Sequence, residues 1–331
     1  MTDVDAVVTG AGGFIGGHLT RALLAEGKSV RAVDRKPYDE WYQLHHDALN
    51  EVHDVSLLDT CYEILDSGAG EVYHLAADMG GMGFIESNKA ACMLSVLSST
   101  HMLLAARHAG VDRYFYSSSA CVYAADKQVA SNVLPLREQD AYPAMPEDGY
   151  GWEKLFSERM ARHFREDYGL ATRTARYHNV YGPYGTWTGG REKAPAAACR
   201  KVALAALAGK HEIEIWGDGE QTRSFTFIDD CVEGTLRLTR SEHAEPINIG
   251  SDKVVSINQL YALVEQIAGV TLEHCHVAGP LGVRGRNSDN TLIRKELGWE
   301  PQVSLVNGLE VTYRWVYDQV KAQLGSGTRQ I

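Results

Sequence analysis

The stretch that decides the fold reads Asp5-Ala-Val-Val-Thr-Gly-Ala-Gly-Gly-Phe-Ile-Gly16. Its first five residues form a short apolar run that predicts a buried strand. A glycine-rich turn follows, and the next apolar residues predict an amphipathic helix that extends to about Glu26 and closes at Gly27. A strand, a glycine turn and a helix in this order indicate an α/β domain.

The glycines of this turn, Gly10, Gly13 and Gly16, are spaced as G-x-x-G-x-x-G. They permit a tight turn and let a pyrophosphate approach the backbone at the positive end of the helix. Glycine-rich turns also occur for purely structural reasons, but the strand and helix on either side favour a dinucleotide site.

The second predicted strand, Ser29 to Val33, ends in Asp34. A carboxylate there would accept hydrogen bonds from the adenosine ribose and repel a 2′-phosphate, which favours NAD over NADP. The neighbouring Arg35 and Lys36 could instead receive a phosphate. The predicted cofactor-binding residues are Gly10, Gly13, Phe14, Ile15, Gly16, Asp34, Asp54, Tyr150 and Lys154.

Further strands and helices alternate along the first half of the chain. Strands are predicted at Glu71 to Ala76, Tyr114 to Ser118 and Thr172 to Arg176, and long helices at Asn88 to Ala109 and Tyr150 to Tyr168. This alternation predicts a doubly wound parallel sheet that is covered by helices on both faces.

The character of the sequence changes after about His178. Residues Tyr181 to Lys193 are rich in glycine, aromatic and charged residues, which is typical of a functional loop. We expect an NAD-binding domain over 1–178 with a returning segment at about 224–250. A smaller substrate-binding lobe is expected over 179–223 and 251–324, and a frayed tail over 325–331.

Composition excludes several classes of protein. The chain of 331 residues has a net charge of −11, which opposes binding to nucleic acid. Its six cysteines are scattered without a Cys-x-x-Cys pair, so neither a metal site nor a disulfide framework is expected. We see no signal peptide and no apolar run long enough for a membrane, and therefore expect a cytoplasmic protein.

A Tyr-x-x-x-Lys pair begins the second long helix. The i, i+4 spacing places Tyr150 and Lys154 on one helix face, and we expect the ammonium to lower the pKa of the phenol. Ser119, at a predicted strand end, could hydrogen-bond the same substrate hydroxyl. Such a pair occurs by chance on many helices, but together with the glycine turn it favours proton transfer to and from an alcohol.

These elements together resemble the extended short-chain dehydrogenase/reductase family over nearly the whole chain. Asn179 with the following Tyr-Gly-Pro, and Thr226-Phe-Ile-Asp229, also fit that family. The resemblance implies a Rossmann-type sheet with the nicotinamide over its C-terminal edge. It also implies a sugar nucleotide clamped between two lobes and a homodimer.

Two further residues point to an epimerase. A ketone at C4 of a sugar acidifies the C–H bonds at C3 and C5, so inversion there needs an acid and a base on opposite faces. Cys121 follows Ser119 closely, and we expect a lowered thiol pKa that would let it act as the base. Lys193 lies in the unusual loop Gly185 to Ala196, which could carry it to the opposite face of the sugar as the acid. Alternatively, the cysteine is a small buried residue and the lysine a solvated charge.

The segments around these residues resemble the GDP-mannose 3,5-epimerases within that family, notably in Ala77 to Phe84, Ser118 to Cys121, Gly189 to Ala196 and Gly282 to Asn290. The resemblance implies inversion of GDP-mannose to GDP-L-galactose, and possibly GDP-L-gulose, with Cys121 and Lys193 as the acid–base pair. Arg286 would meet the diphosphate. The implied substrate contacts are Met79, Gly80, Gly81, Asn179, Glu192, Lys193, Lys201, Gln221, Arg223 and Arg286.

Two rival interpretations stay open at this point. The first is another enzyme of the same family, a nucleotide-sugar 4-epimerase or 4,6-dehydratase. The 4-epimerase needs no Cys–Lys pair, and the dehydratase needs an acidic base near Ser119 that the sequence does not offer. The second is an inactive NAD-binding scaffold or sensor, which the intact Ser119, Tyr150 and Lys154 disfavour.

Overall fold

The structure is a computed structural model that describes residues 4–280 and 282–325. Its strands, in chain order, are β1 Val4–Thr9, β2 Val30–Asp34, β3 Leu49–Val52, β4 Ala69–His74, β5 Arg113–Ser119, β6 Thr172–Tyr177, β7 Val180–Tyr181, β8 Glu212–Trp216, β9 Thr222–Ser224, β10 Thr226–Phe227, β11 Ile247–Ile249, β12 Val254–Ser256, β13 Glu273–Val277 and β14 Gly285–Arg286.

The helices alternate with these strands in the first half of the chain and dominate the second. They are α1 Phe14–Ala25, α2 Leu58–Leu65, α3 Met82–Ser87, α4 Lys89–Ala109, α5 Tyr150–Tyr168, α6 Ala194–Ala208, α7 Ile228–Arg240, α8 Ile257–Ala268, α9 Thr291–Leu297 and α10 Leu305–Gly325.

A seven-stranded sheet in the order β11-β6-β5-β4-β1-β2-β3 forms the centre of the molecule, and all its pairs are parallel. Alternate side chains along a strand enter different hydrophobic cores. Val7 and Tyr114 belong to one core, whereas Val8 and Phe115 belong to the other. Helices α1 and α7 pack together on one side, and α4 packs against α2 and α5 on the other. The predicted doubly wound α/β fold is confirmed.

The remaining strands form three small sheets away from the main one. Strands β8 and β13 pair in parallel, β9 lies between β12 and β14, and β7 pairs with β10. Helices α6, α8 and α10 pack against one another. The parallel pairing of β7 (Val180–Tyr181) with β10 (Thr226–Phe227) brings the segments after β6 and β9 side by side. The expected boundaries of the two lobes remain a prediction.

Strand β4 and helix α4 differ from what the sequence predicts. Strand β4 ends at His74, two residues before the predicted end. By length and apolar composition alone, α4 could cross a membrane, so the expectation that no such run exists is wrong. In the fold this helix packs against its neighbours α2, α3 and α5. Of the tail 325–331, only Gly325, the last residue of α10, lies within the described residues.

Candidate active site

The glycine turn between β1 and α1 is shaped for a close approach of another backbone or ligand. Gly10 has a φ of +75°, which favours glycine. A Cβ atom on Gly16 would overlap the carbonyl oxygen of Gly10. The N-cap residue Gly13 offers no side-chain hydrogen bond, so the N–H groups of the first turn remain available to a ligand. This geometry fits a pyrophosphate at the N-terminus of α1.

The residues after β2 lie at the same edge of the sheet. Asp34 is 8% exposed and accepts a hydrogen bond of 3.0 Å from the backbone N–H of Lys36. The guanidinium of Arg35 donates a hydrogen bond of 2.9 Å to the Asp78 carboxylate. Arg35, which could have bound a 2′-phosphate, is therefore already paired with a carboxylate. A Cβ on Gly12 would lie 2.6 Å from the Trp41 indole, which therefore covers the turn. This arrangement fits NAD.

One cavity of about 1200 Å³ collects the predicted cofactor residues. All nine line it, together with three residues predicted for catalysis or substrate binding. The twelve are Gly10, Gly13, Phe14, Ile15, Gly16, Asp34, Asp54, Met79, Ser119, Tyr150, Lys154 and Lys193. The cavity thus extends from the glycine turn to the region where the predicted redox residues lie.

Tyr150 is the first residue of α5 and is 6% exposed. The Ser119 hydroxyl hydrogen-bonds its phenol. The Lys154 Nζ lies 5.5 Å from the centre of the Tyr150 ring and 3.6 Å from a carboxylate oxygen of Glu153. The three predicted redox residues are therefore neighbours.

The expected lowering of the Tyr150 phenol pKa is wrong. Burial raises the pKa of Tyr150 well above its usual range, and the nearby Cys121 and Glu153 add to that effect. The hydrogen bond with Ser119 opposes the rise without overcoming it. The loss of hydration therefore raises the phenol pKa by more than the nearby Lys154 was expected to lower it.

Cys121 lies in a 3-10 turn directly after β5, where the Ser119 Oγ accepts a hydrogen bond of 3.2 Å from its N–H. Its Sγ is 3.5 Å from Nη1 of Arg286. Burial, followed by the charge of Glu147, raises the thiol pKa to about 11, whereas Arg286 lowers it. The expected lowering of this pKa is therefore wrong, because desolvation of the thiolate and a nearby carboxylate outweigh the guanidinium.

Lys193 is the N-cap residue of α6, immediately before the turn that contains Pro195. Burial lowers the pKa of its amine, and Cys121 is the charged group that most opposes this shift. Cys121 and Lys193, which are 72 positions apart in the numbering, thus interact electrostatically. Lys193 lines the same cavity as Tyr150, whereas Cys121 is not among the lining residues.

Arg286 lies at Cys121 rather than in an open anion pocket. It is 4% exposed, and its Nε donates to the Gln128 side chain at 2.6 Å. Its Nη2 lies 3.6 Å from Glu147, and both of these facing atoms lack a hydrogen-bond partner. The charges of Cys121 and Arg286 also influence the pKa of Arg223. The Arg286 guanidinium therefore contacts the thiol, and that of Arg223 lies near enough to interact with its charge.

The other predicted substrate residues do not line the cavity, and all of them except Gly80 have hydrogen bonds to protein groups. Asn179 donates to the Ser224 carbonyl at 2.9 Å. Glu192 accepts a hydrogen bond of 2.9 Å from Arg200, and Lys201 donates one of 2.6 Å to the Glu214 carbonyl. Gln221 donates to the Trp216 carbonyl at 3.3 Å and Arg223 to that of Val283 at 2.6 Å. Gly81 bonds the Arg191 carbonyl at 3.0 Å, next to Gly80.

Sequence reasoning missed two acidic residues that the structure places at the site. Asp78 bridges Arg35 and Arg191, at 2.9 and 3.0 Å. Glu147 has its N–H bonded to the Cys121 carbonyl at 2.9 Å. Asp78 lies in the segment Ala77 to Phe84, which the sequence analysis assigns to the substrate site, but a single carboxylate there matches no motif that would predict its role. Glu147 has no sequence signal, because its partner is in a different loop.

The match to known proteins is extensive. The model of the NAD dependent epimerase/dehydratase family matches residues 6–250, and the chain belongs to that family of NAD-dependent enzymes. It is 49% identical to GDP-mannose 3,5-epimerase 1 of Oryza sativa subsp. japonica over 97% of this chain and 83% of that one. It is 47% identical to GDP-mannose 3,5-epimerase of Arabidopsis thaliana, covering 97% and 84% of the two chains.

A solved structure with the same architecture is that of UDP-glucose 4-epimerase from Thermotoga maritima with UDP-glucose. The TM-score is 0.85 at 28% identity, and the match covers 96% of this chain and 99% of that one. The predicted Rossmann-type fold is therefore confirmed, since an epimerase structure with 28% sequence identity has the same architecture.

Proposed function

We propose that this protein epimerises GDP-mannose at C3 and C5, giving GDP-L-galactose and, where only C5 is inverted, GDP-L-gulose. The observation that carries the proposal is that Cys121 packs in one cluster with Tyr150, while Lys193 lines the same cavity as that tyrosine. A thiol and an amine at the redox residues supply two proton-transfer groups that simple oxidation of an alcohol does not need. Relatives at 47–49% identity support the same reaction and substrate.

Each residue of the site has a separate role in the proposed reaction. When bound, NAD supplies the reversible oxidation at C4 of the sugar. Tyr150 exchanges the proton of the C4 hydroxyl, and Ser119 holds the phenol by its hydrogen bond. The Lys154 Nζ, on a side chain that is 1% exposed, lies 5.5 Å from the centre of the tyrosine ring. Cys121 and Lys193 then exchange protons with the carbons next to the ketone.

Substrate recognition follows from charge. The diphosphate of a sugar nucleotide needs cations, and Arg223 and Arg286 bring two guanidinium groups to the Cys121 side of the site. We propose that both contact the substrate, with Arg286 reaching the diphosphate after release of its present partners. Met79, Gly80, Gly81, Asn179, Glu192, Lys201 and Gln221 complete the proposed set of contacts.

The test is NMR analysis of the products formed from GDP-mannose in deuterated water, with the purified protein and catalytic NAD. We expect L-configured products with deuterium at C3 and C5. Inversion at C4 without deuterium at those carbons would identify a 4-epimerase, and label at C5 and C6 with loss of water would identify a dehydratase. Bound NAD without turnover would identify a scaffold or sensor.

We also propose a homodimer formed through α4 and α5, which contact each other. Outside the cofactor cavity, they expose the large apolar side chains Met93, Trp152 and Phe156. Light scattering after size exclusion should give twice the mass of 36.4 kDa, and Met93→Glu with Phe156→Glu should give the monomer. A wild-type monomer would exclude this assembly.

We further propose a cytoplasmic location and two lobes with the boundaries given above. The first is tested by cell fractionation with an activity assay of each fraction, and recovery with membranes would exclude it. The second is tested by limited proteolysis with mass spectrometry, for which we expect the earliest cuts between the two lobes.

A further inference from the structure

A buried charge pair stands behind the Cys121 thiol. Arg286 reaches the sulfur with one nitrogen, at 3.5 Å, and faces Glu147 with another, at 3.6 Å. The side chain of Arg286 is 5% exposed and that of Glu147 is 15% exposed. A guanidinium this deeply buried needs a counter-ion, and Glu147 is the carboxylate that faces it.

Glu147 also contacts the cysteine directly. Its N–H donates to the Cys121 carbonyl at 2.9 Å, and its carboxylate hydrogen-bonds the thiol. Gly151 makes this approach possible, because a Cβ there would overlap the Cys121 carbonyl oxygen and lie 3.1 Å from the Glu147 Cβ. The backbone therefore fixes the carboxylate next to the sulfur.

The charges that face the thiol come from several elements. Glu147 is the carboxylate among them, and the others are Arg223 on β9, Arg286 on β14, Lys193 before α6 and the phenol of Tyr150 on α5. Arg286 favours a thiolate, whereas Glu147 favours a thiol. Because these two neighbours carry opposite charges, burial decides the balance in favour of the protonated sulfur.

We propose that Glu147 is a positioning residue that holds the proton on the Cys121 thiol in the free enzyme, so that Cys121 begins the inversion as the proton donor and Lys193 as the acceptor. This inference rests on the proposed acid–base role of the two residues. It reverses the starting roles expected from sequence, in which the cysteine was the base and the lysine the acid.

The protons and electrons of one inversion balance within this arrangement. The Lys193 amine takes the proton from a carbon next to the C4 ketone, and the C–H electron pair passes into the enolate. The Cys121 thiol gives its proton to the opposite face of the same carbon, where the enolate electron pair forms the new C–H bond. The chain is left with an ammonium and a thiolate, and the contact from Arg286 favours that thiolate.

The first test measures the thiol without any substrate. The rate of Cys121 alkylation by iodoacetamide at pH 8 is followed by mass spectrometry of its peptide, because the thiolate is the reactive form. Glu147→Gln should label about tenfold faster or more, since loss of a neighbouring charge moves a pKa by about one unit or more. Glu147→Asp keeps the charge and should stay within about threefold of the wild type.

A matched control is Asp148→Asn, which removes the adjacent carboxylate. The Asp148 side chain is 71% exposed and pairs with Lys89 at 2.7 Å. Cys121 in the Asp148→Asn variant should therefore be labelled at the wild-type rate. An unchanged or slower rate in a folded Glu147→Gln protein would overturn the proposal. Should that variant fail to fold, Glu147→Ser removes the same charge with a smaller polar side chain, and a labelling rate equal to that of the wild type would then overturn the proposal.

The second test uses the reaction. The alkaline limb of the pH–rate profile for inversion should move to lower pH in Glu147→Gln, because the donor thiol loses its proton earlier. A profile that keeps its shape while kcat falls would indicate a structural role only. The outcomes separate the two proposals: faster labelling without turnover of GDP-mannose contradicts the proposed function, and normal turnover with unchanged labelling contradicts this inference.

Discussion

The Arg191 guanidinium donates to Asp78 at 3.0 Å, and this bond joins the loop after β4 to the loop that carries Lys193. The other oxygen of Asp78 accepts from Arg35, at the end of β2 beside the cofactor cavity. The Gly81 N–H adds a bond of 3.0 Å to the Arg191 carbonyl. One carboxylate therefore ties the cofactor side of the site to the loop of the proposed acid–base lysine.

Asp78→Asn should weaken both of these charge-assisted bonds and loosen the Lys193 loop. Misplacement of a reacting group by about 1 Å can cost about a hundredfold in rate, so we expect kcat for inversion to fall about tenfold to a hundredfold. The bound NAD content should change little. The control is Asp252→Asn, which removes a carboxylate that pairs with Lys253 at 3.2 Å. An unaltered kcat would show that the bridge does not position the loop.

Gly16→Ala should prevent cofactor retention, because the new methyl group would overlap the Gly10 carbonyl oxygen in the turn. Purified Gly16→Ala should carry about a tenth or less of the wild-type NAD, since the turn must move from the ligand. Gly83→Ala is the control, because no atom lies within 4 Å of its added Cβ. The measurement is NAD released by heat denaturation and assayed enzymatically. Equal NAD content in the two variants would contradict this reading of the turn.

Cys121→Ser and Lys193→Ala should abolish most product while NAD stays bound. Loss of a general acid or base costs about a hundredfold to ten-thousandfold, and each variant should reach that range. Reduction of the bound NAD by GDP-mannose separates these variants from Tyr150→Phe, which should show no reduced NAD because no ketone forms. Near-normal inversion in Cys121→Ser or Lys193→Ala would remove that residue from the pair.

Acidification should destabilise the fold before most carboxylates titrate. Burial lowers the pKa of His18 to about 4 and those of His74 and His178 to about 3. An unfolded histidine has a pKa of about 6.5, so the unfolded state binds more protons as the pH falls below that value. The contribution of these neutral histidines to the free energy of unfolding is fully present above about pH 6.5 and is lost progressively as the pH falls towards their folded pKa values.

Each of these histidines should contribute up to about 1.4 kcal/mol of lost stability per pH unit in that window. The measurement is the free energy of unfolding in urea at intervals from pH 7 to pH 5. His178→Asn should reduce the slope by about one proton. A flat dependence over this window would mean that these histidines gain their protons in the folded state.

The sequence predicted the parts of the site that lie within one element or turn. The glycines, Asp34 and the Tyr150–Lys154 pair depend on local spacing, and the structure places all of them on one cavity. It did not predict β3, whose four residues are all partly or fully exposed and so lack an apolar pattern.

The electrostatic state of the site could not be read from residue types. The pKa values of Tyr150 and Cys121 rise because long-range packing removes water from both side chains. The meeting of Glu147, Arg286 and Cys121 joins three separate parts of the chain, and no spacing rule connects them. Burial and non-local contacts therefore account for most of what sequence reasoning missed.

The outer strand β11, Ile247–Ile249, comes from far along the chain and pairs with Ala175 to Tyr177 of β6. During synthesis, β6 therefore emerges from the ribosome long before its partner and presents an open sheet edge to other nascent chains. A fragment that stops near residue 178 would keep this edge permanently. We expect such a fragment to need a chaperone or to aggregate, even though it contains the whole glycine turn.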